Sequence, residues 1–200
     1  MKYSKLTNKS NVFLKRFTHS SRHIKCSKFI DSLNYTNFLD FGAGDGQLFE
    51  YLKAKKNKNY YAYEPYKQMY KQFLKNSKIT NNVKLIKNER NLKKNFYDVI
   101  TINEVFEHLP NKKLLEVIKL LKLISTKKST IIVSVPLEVG LSSIVKNLIR
   151  FASKSSHEGL TVKNLFKSFF YQKINRGSRV YYNSHIGFNH YDLKKILANH

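Results

Sequence analysis

The residues most suited to binding a ligand lie in one short stretch, where glycines occur at three alternate positions, Gly42, Gly44 and Gly46. An apolar run at 38–41 precedes them and a helical pattern follows at 48–52. This order predicts a strand, a glycine turn and a helix. Glycine permits positive φ and lets a ligand approach the backbone where a Cβ would block it. Since open α/β sheets bind ligands beyond the carboxyl ends of their strands, we expect the binding site here.

An acid, Asp40, stands two residues before the first glycine and indicates the charge of the ligand. The dinucleotide-binding pattern G-x-G-x-x-G would fit Gly42 and Gly44, but Gln47 occupies its third glycine position. A pyrophosphate gains nothing from a carboxylate so close to its cradle, whereas an ammonium or a sulfonium does. The resulting pattern, D-x-G-x-G-x-G, resembles motif I of the class I S-adenosylmethionine-dependent methyltransferases.

A second acid, Glu64, ends the strand predicted at 60–63 and precedes Pro65. An acid at the end of the second strand can accept hydrogen bonds from both hydroxyls of a ribose. The alternative is a surface glutamate at a strand end. By the same resemblance, Asn88 and Glu89, which follow a third predicted strand at 83–86, contact the adenine, with Asn88 standing where an aspartate is expected.

The fourth predicted strand lies in the stretch 96–110, which contains the pattern D-V-I-x-x-x-E-V-x-E-H-L. It resembles motif IV of small-molecule and lipid methyltransferases, including the ubiquinone-biosynthesis type. The resemblance covers about residues 35–136 and implies S-adenosylmethionine as cofactor. The cofactor-binding residues that it implies are Asp40, Gly42, Ala43, Gly44, Gly46, Glu64, Pro65, Asn88, Glu89, Asn103 and Glu104.

The candidate catalytic residue is His108, because an oxygen nucleophile needs its proton removed and histidine is the natural base. Two alternatives stay open: the Glu107-His108 pair holds a divalent metal, as the resemblance allows, or His108 only caps or packs a helix. His185 and His190 are weaker candidates for the base. The prediction made from the sequence is a base at His108 and no metal.

The order of the predicted strands and helices that position these residues indicates an α/β fold. We expect a Rossmann-like three-layer sandwich with a mostly parallel sheet. The last two strands are expected to be missing, because the sequence stops at His200 after the helix that normally precedes them. We expect an N-terminal arm and helix at 1–34, a cofactor-binding core at 35–140, a helical lid insertion at 141–188 and a last core helix at 189–200. Within these, the predicted helices include 20–33, 111–125 and one from the glycine turn to about residue 56, and the fifth strand is predicted at 130–135.

Composition limits the classes of protein that remain. The chain has 37 Lys and Arg against 13 Asp and Glu, a net charge of +24, which either attracts a polyanion or reflects an AT-rich genome. Cys26, the only cysteine, rules out a disulfide framework and a cysteine zinc site and fits a reducing cytosol. It lies on the apolar face formed with Phe29, Ile30 and Leu33, which predicts a buried structural thiol.

We expect the lid insertion to determine which acceptor binds. Residues 141–184 hold eight Lys or Arg and one acid, with two amphipathic helical patterns. Such helices dock on a core, lie on an anionic membrane or contact nucleic acid. We predict methyl transfer, on oxygen, to a small-molecule, lipid or saccharide acceptor by a cytoplasmic protein. Docking of these helices on the core is the favoured interpretation, peripheral membrane contact through 141–154 is the alternative, and nucleic acid is the least favoured partner. The alternatives are a non-catalytic cofactor-binding remnant and an RNA methyltransferase.

Overall fold

The computed structural model describes residues 13–53, 55–76, 82–136, 162–170, 182 and 188–199. These residues belong to two compact units. The first comprises 1–103 with 123–133, and the second comprises 104–122 with 134–200.

A five-stranded sheet forms the centre of the first unit, with strand order β3-β2-β1-β4-β5. β1 pairs in parallel with β2 and with β4, and β2 pairs in parallel with β3. The strands are β1 Asn37–Phe41, β2 Asn59–Tyr63, β3 Val83–Ile86, β4 Tyr97–Asn103 and β5 Ser125–Ser134. The predicted Rossmann-like, mostly parallel sheet is therefore confirmed, and the described residues contain five strands.

The strands that carry the glycine turn and the acids are buried, as parallel strands should be. Phe38 and Leu39 in β1, Ala62 in β2 and Ile100 in β4 have no exposed surface. One core cluster joins Cys26 and Ile30 of the preceding helix to strand residues and to Leu48; its members are Cys26, Ile30, Tyr35, Phe38, Leu48, Tyr60 and Val99. This packing holds the amino halves of β1, β2 and β4 together, since Phe38, Tyr60 and Val99 lie side by side near the starts of these strands.

Five helices are described: α1 Phe13–Ser32, α2 Lys67–Leu74, α3 Asn111–Ile124, α4 Val162–Phe169 and α5 His190–Ala198. α1 begins at Phe13, well before the predicted start at residue 20. Cys26 and Ile30 are buried as predicted. Phe29 is 51% exposed, so the prediction that it lies on the apolar face that packs on the core was wrong. No described helix has both the length and the apolar character needed to cross a membrane.

The helix predicted from the glycine turn to residue 56 is wrong. The chain forms only a 3-10 turn, Gln47–Glu50, that ends at Tyr51. The side chain of Tyr60 explains the early end, because its hydroxyl donates to Lys53 O and accepts from Lys55 N, both at 3.2 Å. These backbone groups are thereby bonded to a strand residue instead of to a helix.

The fifth strand starts at Ser125, directly after α3, whereas the sequence predicted residue 130. The backbone N–H groups of Asn95 and Phe96 donate to Leu123 O and Ile124 O at 3.0 and 2.9 Å. These bonds hold the end of α3 beside residues 95 and 96, and the chain becomes extended as soon as the helix ends. The strand therefore starts five residues before the predicted position.

The second unit contains the 3-10 turn Phe106–His108, most of α3, α4 and α5. α4 coincides with the second amphipathic pattern of the predicted lid, although Phe166 is 63% exposed. The first lid helix, predicted near 141–154, and His185 lie outside the described residues.

Candidate cofactor-binding site

The glycine turn is fixed to the end of β2 by two backbone bonds. Gly42 N and Ala43 N both donate to Tyr63 O, at 2.8 and 3.0 Å. Gly42, Gly44 and Gly46 have φ values of 80°, 58° and 84°, in the left-handed region that favours glycine. The turn therefore has the backbone conformation that the glycine spacing predicted.

Two of the glycines are needed for different reasons. A Cβ on Gly46 would lie 2.7 Å from Cε2 of Phe73, so this position is closed by the protein's own packing. A Cβ on Gly44 would meet nothing within 4 Å. The space above Gly44 is open, which is the arrangement that lets a ligand approach the backbone.

Glu64 lies beside this space and is only 5% exposed. Its Oε2 accepts a hydrogen bond from Gly44 N at 2.8 Å, and its Oε1 accepts one from Tyr66 N at 2.7 Å. Burial raises the pKa of Glu64 to about 7, although both N–H groups act to lower it. A carboxylate offers about four lone-pair positions, so capacity for further donors remains.

Asp40 is the last residue but one of β1 and is 3% exposed. Its Oδ1 accepts a hydrogen bond from the hydroxyl of Thr101 at 2.7 Å, and Thr101 is its direct neighbour in the register of β1 and β4. Burial raises the pKa of Asp40 to about 7, the negative charge of Glu64 adds to this, and Thr101 and Asn103 lower it. Two buried carboxyl groups thus influence each other at the carboxyl edge of the sheet.

Asn103 ends β4 at the same edge. The Cys26 thiol contacts its Oδ1, with Sγ and Oδ1 3.9 Å apart. The amide nitrogen of Asn103 is buried and has no hydrogen-bond partner among the described residues. Burial, followed by the charge of Asp40, raises the pKa of the Cys26 thiol to about 11, so the thiol remains protonated. This fits the predicted structural thiol, but its contact with Asn103 had no signal in the sequence.

The remaining predicted cofactor residues are less enclosed. Pro65, Asn88 and Glu89 are exposed. The Asn88 side chain accepts a hydrogen bond from Arg90 N at 3.0 Å and so caps the 3-10 turn Glu89–Asn91. In the second unit, Glu104 has a φ of 52° and donates its backbone N–H to Ser134 O at 2.8 Å.

The aspartate of motif IV, Asp98, does not lie with these residues. It stands at the amino end of β4, where its Oδ2 accepts hydrogen bonds from Thr36 N and Asn37 N at 2.9 and 3.0 Å. Its Oδ1 accepts a longer one from the Thr126 hydroxyl at 3.4 Å. Asp98 therefore ties the starts of β1 and β5 to β4, a structural role that the sequence did not suggest.

In the second unit, the backbone of Tyr182 holds His108 at two points. Tyr182 N donates to His108 O at 2.8 Å, and the Nδ1 of His108 lies 2.5 Å from Tyr182 O. Because a carbonyl only accepts, Nδ1 carries the hydrogen of this bond. The neutral ring is then the tautomer whose lone pair is on Nε2. The neighbouring Glu107 is fully buried.

No group of three or more His, Cys, Asp or Glu side chains that could hold a metal ion occurs among the residues that the structure describes.

His190, a weaker candidate for the base, begins α5, where its ring lies 4.1 Å, centroid to centroid, from that of Tyr191. Asn189 caps this helix by accepting a hydrogen bond from Tyr191 N.

Comparisons with known proteins give one family and one type of fold. Residues 11–188 match the model of a family described as "Methyltransferase domain". A SAM-dependent methyltransferase from Archaeoglobus fulgidus is 16% identical with a TM-score of 0.54, and the alignment covers 98% of this chain and 89% of that one. No curated protein shows significant sequence similarity to the chain.

The plantazolicin methyltransferase BpumL also resembles the chain. Its complex with SAH is 15% identical with a TM-score of 0.54, over 94% of this chain and 70% of that one. Its complex with a pentazolic desmethylPZN analog and SAH is 18% identical with a TM-score of 0.50, over 83% of this chain. In that alignment the chain spans only 61% of the BpumL chain. At such identities these similarities establish the fold alone.

Proposed function

Because the chain belongs to the methyltransferase domain family, we propose that it transfers the methyl group of S-adenosylmethionine to an oxygen atom of a small-molecule acceptor. The observation that carries the proposal is the open space above Gly44, next to the carboxylate of Glu64. A ligand can approach the backbone there, and a buried acceptor for its hydroxyl groups is already in place.

The chemistry of the surrounding groups fits this cofactor. S-adenosylmethionine has a ribose with two hydroxyls, an ammonium and a sulfonium, so its partners should be acceptors and negative charge. Asp40 and Glu64 supply two buried carboxyls, and Asn103 supplies an amide nitrogen that has no partner among the described residues. A carboxylate as close to the glycine turn as Asp40 would repel a pyrophosphate, whereas it attracts an ammonium group.

We assign roles to the residues accordingly. Glu64 accepts hydrogen bonds from the ribose, Asn88 and Glu89 border the adenine, and Asn103 lies near the sulfonium. Asp40, Gly42 and Gly44 line the amino-acid end. We assign Ala43 and Pro65 to the wall of this pocket and Gly46 to the shape of the turn, while Glu104 of the second unit stays a predicted cofactor-binding residue.

When bound, the cofactor supplies an electrophilic methyl group, and the protein contributes mainly orientation and proximity. The acceptor hydroxyl must lose its proton as its oxygen attacks, and we assign this proton to Nε2 of His108. The tautomer set by Tyr182 O supports the assignment, since it leaves the lone pair on Nε2. The Nδ1 bond to the carbonyl would also stabilise the imidazolium that results.

The acceptor is a small molecule, and lipid and saccharide intermediates are the classes we would screen first. BpumL, a methyltransferase of similar fold, is crystallised in complex with a pentazolic desmethylPZN analog and SAH, which supports a small-molecule acceptor. Peripheral membrane contact through 141–154 is part of the proposal, although these residues lie outside the described part. Co-sedimentation with anionic and with neutral vesicles tests it, and equal sedimentation with both would contradict it.

The decisive experiment is isothermal titration of S-adenosylhomocysteine into the purified chain, with Gly44→Asp as the matched variant. We expect saturable one-to-one binding that the variant loses, because a carboxylate would fill the open space above residue 44. A folded wild-type chain that gives no binding heat and no thermal protection would contradict the proposal.

Labelled cofactor then separates the remaining functions. Transfer of the methyl group to a small acceptor supports the proposed enzyme, while binding without transfer to any acceptor supports a non-catalytic binding module. An RNA methyltransferase would instead show RNA binding that weakens steeply as salt rises.

A further inference from the structure

A polar pair is buried near the carboxyl edge of the sheet, between the two neighbouring strands β1 and β4. Thr101 has no exposed surface and Asp40 is 3% exposed, and they face each other in the register of β1 and β4. The flanking residues of β4, Ile100 and Ile102, are apolar and fully buried. Burying a carboxyl group among such residues is costly unless it is hydrogen-bonded, which points to a purpose other than packing.

Asp40 has no lysine or arginine partner within the described part of the chain, although the protein carries 37 such residues. The groups that act on it are Cys26 from α1, Glu64 after β2, and Thr101 and Asn103 from β4. Glu64 disfavours the ionised form by repulsion. Of the two residues that favour it, only Thr101 makes a short bond, 2.7 Å from Oγ1 to Oδ1.

We propose that Thr101 is a positioning residue that favours the ionised form of Asp40 and orients it toward the ammonium group of the cofactor, and thereby sets the pH range over which the cofactor binds. The inference rests on the proposed function and names a residue that the sequence analysis did not single out. A protonated Asp40 is neutral and does not attract an ammonium group, so cofactor affinity is lost as the pH falls through the pKa of Asp40. Removal of the Thr101 hydroxyl moves that loss to higher pH.

The test compares Thr101→Val, which keeps the shape and removes the hydroxyl, with Thr101→Ser, which keeps the hydroxyl. S-adenosylhomocysteine is titrated into each protein between about pH 6 and about pH 9. We expect Thr101→Val to bind about tenfold more weakly at neutral pH, with the midpoint of the pH dependence raised by about one unit. Thr101→Ser should follow the wild type.

A second ligand separates this role from a structural one. 5′-Methylthioadenosine has the adenine, the ribose and the sulfur but no ammonium group, so Thr101→Val should leave its affinity unchanged. Asp40→Asn should bind S-adenosylhomocysteine weakly, and adding Thr101→Val to it should cause no further loss, because the hydroxyl acts through the carboxylate.

Several outcomes would overturn the inference. If Thr101→Val weakens both ligands equally, the hydroxyl supports the pocket in general. If it weakens neither, or leaves the pH midpoint in place, Asp40 does not depend on Thr101. If the wild type binds 5′-methylthioadenosine but shows no pH dependence with S-adenosylhomocysteine, the role proposed for Thr101 is wrong, whereas the proposed cofactor site is retained. If the wild type binds neither ligand, the proposed function fails as well.

Discussion

Glu64 and Gly44 are joined by a 2.8 Å hydrogen bond from the backbone N–H of the glycine to Oε2 of the carboxylate. The residue expected to hold a ribose therefore also holds the turn on which the cofactor would rest. The second oxygen is bonded to Tyr66 N, so both ends of the carboxylate are oriented before any ligand arrives. Such preorganisation lowers the ordering cost of binding.

The first prediction concerns this bond. Glu64→Gln replaces one acceptor oxygen with an NH₂ group, which must face the N–H of Gly44 or of Tyr66, donor against donor. We expect faster hydrogen exchange at one of these amides and about tenfold weaker binding of S-adenosylhomocysteine. Glu116→Gln, on the exposed face of α3, is the control and should change neither. Unchanged exchange at both amides would contradict the role of Glu64 in the turn.

The second prediction concerns pH and the stability of the chain without ligand. Burial raises the pKa of Asp40 from 3.8 to about 7 and that of Glu64 from 4.5 to about 7. The folded chain then binds more protons than the unfolded chain between these values, so the free energy of unfolding falls as pH rises from about 4 to about 7. Denaturant titrations at several pH values measure this slope.

The matched variant for this slope is the double substitution Asp40→Asn with Glu64→Gln, which removes both titrating groups. We expect it to flatten the fall in stability across that pH range. An equal slope in the variant and the wild type would show that other groups produce it. The cofactor affinity proposed above should move in the opposite direction, rising with pH.

The third prediction separates two glycines. Gly46→Ala puts a Cβ 2.7 Å from the Phe73 ring at a φ of 84°, so we expect a loss of about 2–4 kcal/mol in the free energy of unfolding. Gly44→Ala meets no atom within 4 Å and should cost only about 1–2 kcal/mol, from its φ of 58°. It should nevertheless lose most of its affinity for S-adenosylhomocysteine. Melting curves measure the loss of stability, and titration calorimetry measures the loss of affinity. A Gly44→Ala protein that binds normally would show that the cofactor does not occupy the open space above Gly44.

The fourth prediction concerns Asp98. Asp98→Ala leaves the N–H groups of Thr36 and Asn37 without their acceptor, so we expect a loss of about 2–3 kcal/mol of stability. Asp98→Asn keeps one acceptor oxygen and should lose less. Binding of S-adenosylhomocysteine to the folded fraction should be unchanged in both. Weak binding with normal stability would instead make this motif residue part of the site.

The fifth prediction concerns the ring of His108. Nitrogen-15 NMR of histidine-labelled protein should show the neutral ring with its hydrogen on Nδ1, bonded to Tyr182 O. His108→Asn keeps a donor near the Nδ1 position and removes Nε2. We expect it to melt near the wild-type temperature and bind S-adenosylhomocysteine normally, yet lose methyl transfer to any acceptor found by screening. Full transfer activity in this variant would remove His108 as the base.

The sequence by itself determined the strand and the glycine turn over residues 38–46, the parallel sheet and the family, but it predicted a helix where only a 3-10 turn follows. These follow from local spacing: glycines at alternate positions, buried apolar runs and an acid after the second strand. The helix prediction failed because the Tyr60 hydroxyl, five and seven residues away along the chain, bonds to the backbone of Lys55 and Lys53, a side-chain contact that the apolar pattern does not encode.

Only the tertiary structure decided what each polar residue contacts. Asp40 and Thr101 are 61 positions apart, and Asp98 is a similar distance from the backbone groups that it binds. Such pairs form because neighbouring strands in the sheet are distant in sequence, and no local pattern encodes their register. The same reason hid the contacts of Glu64 with the turn and of Tyr182 with His108, which join segments that only the folded chain brings together.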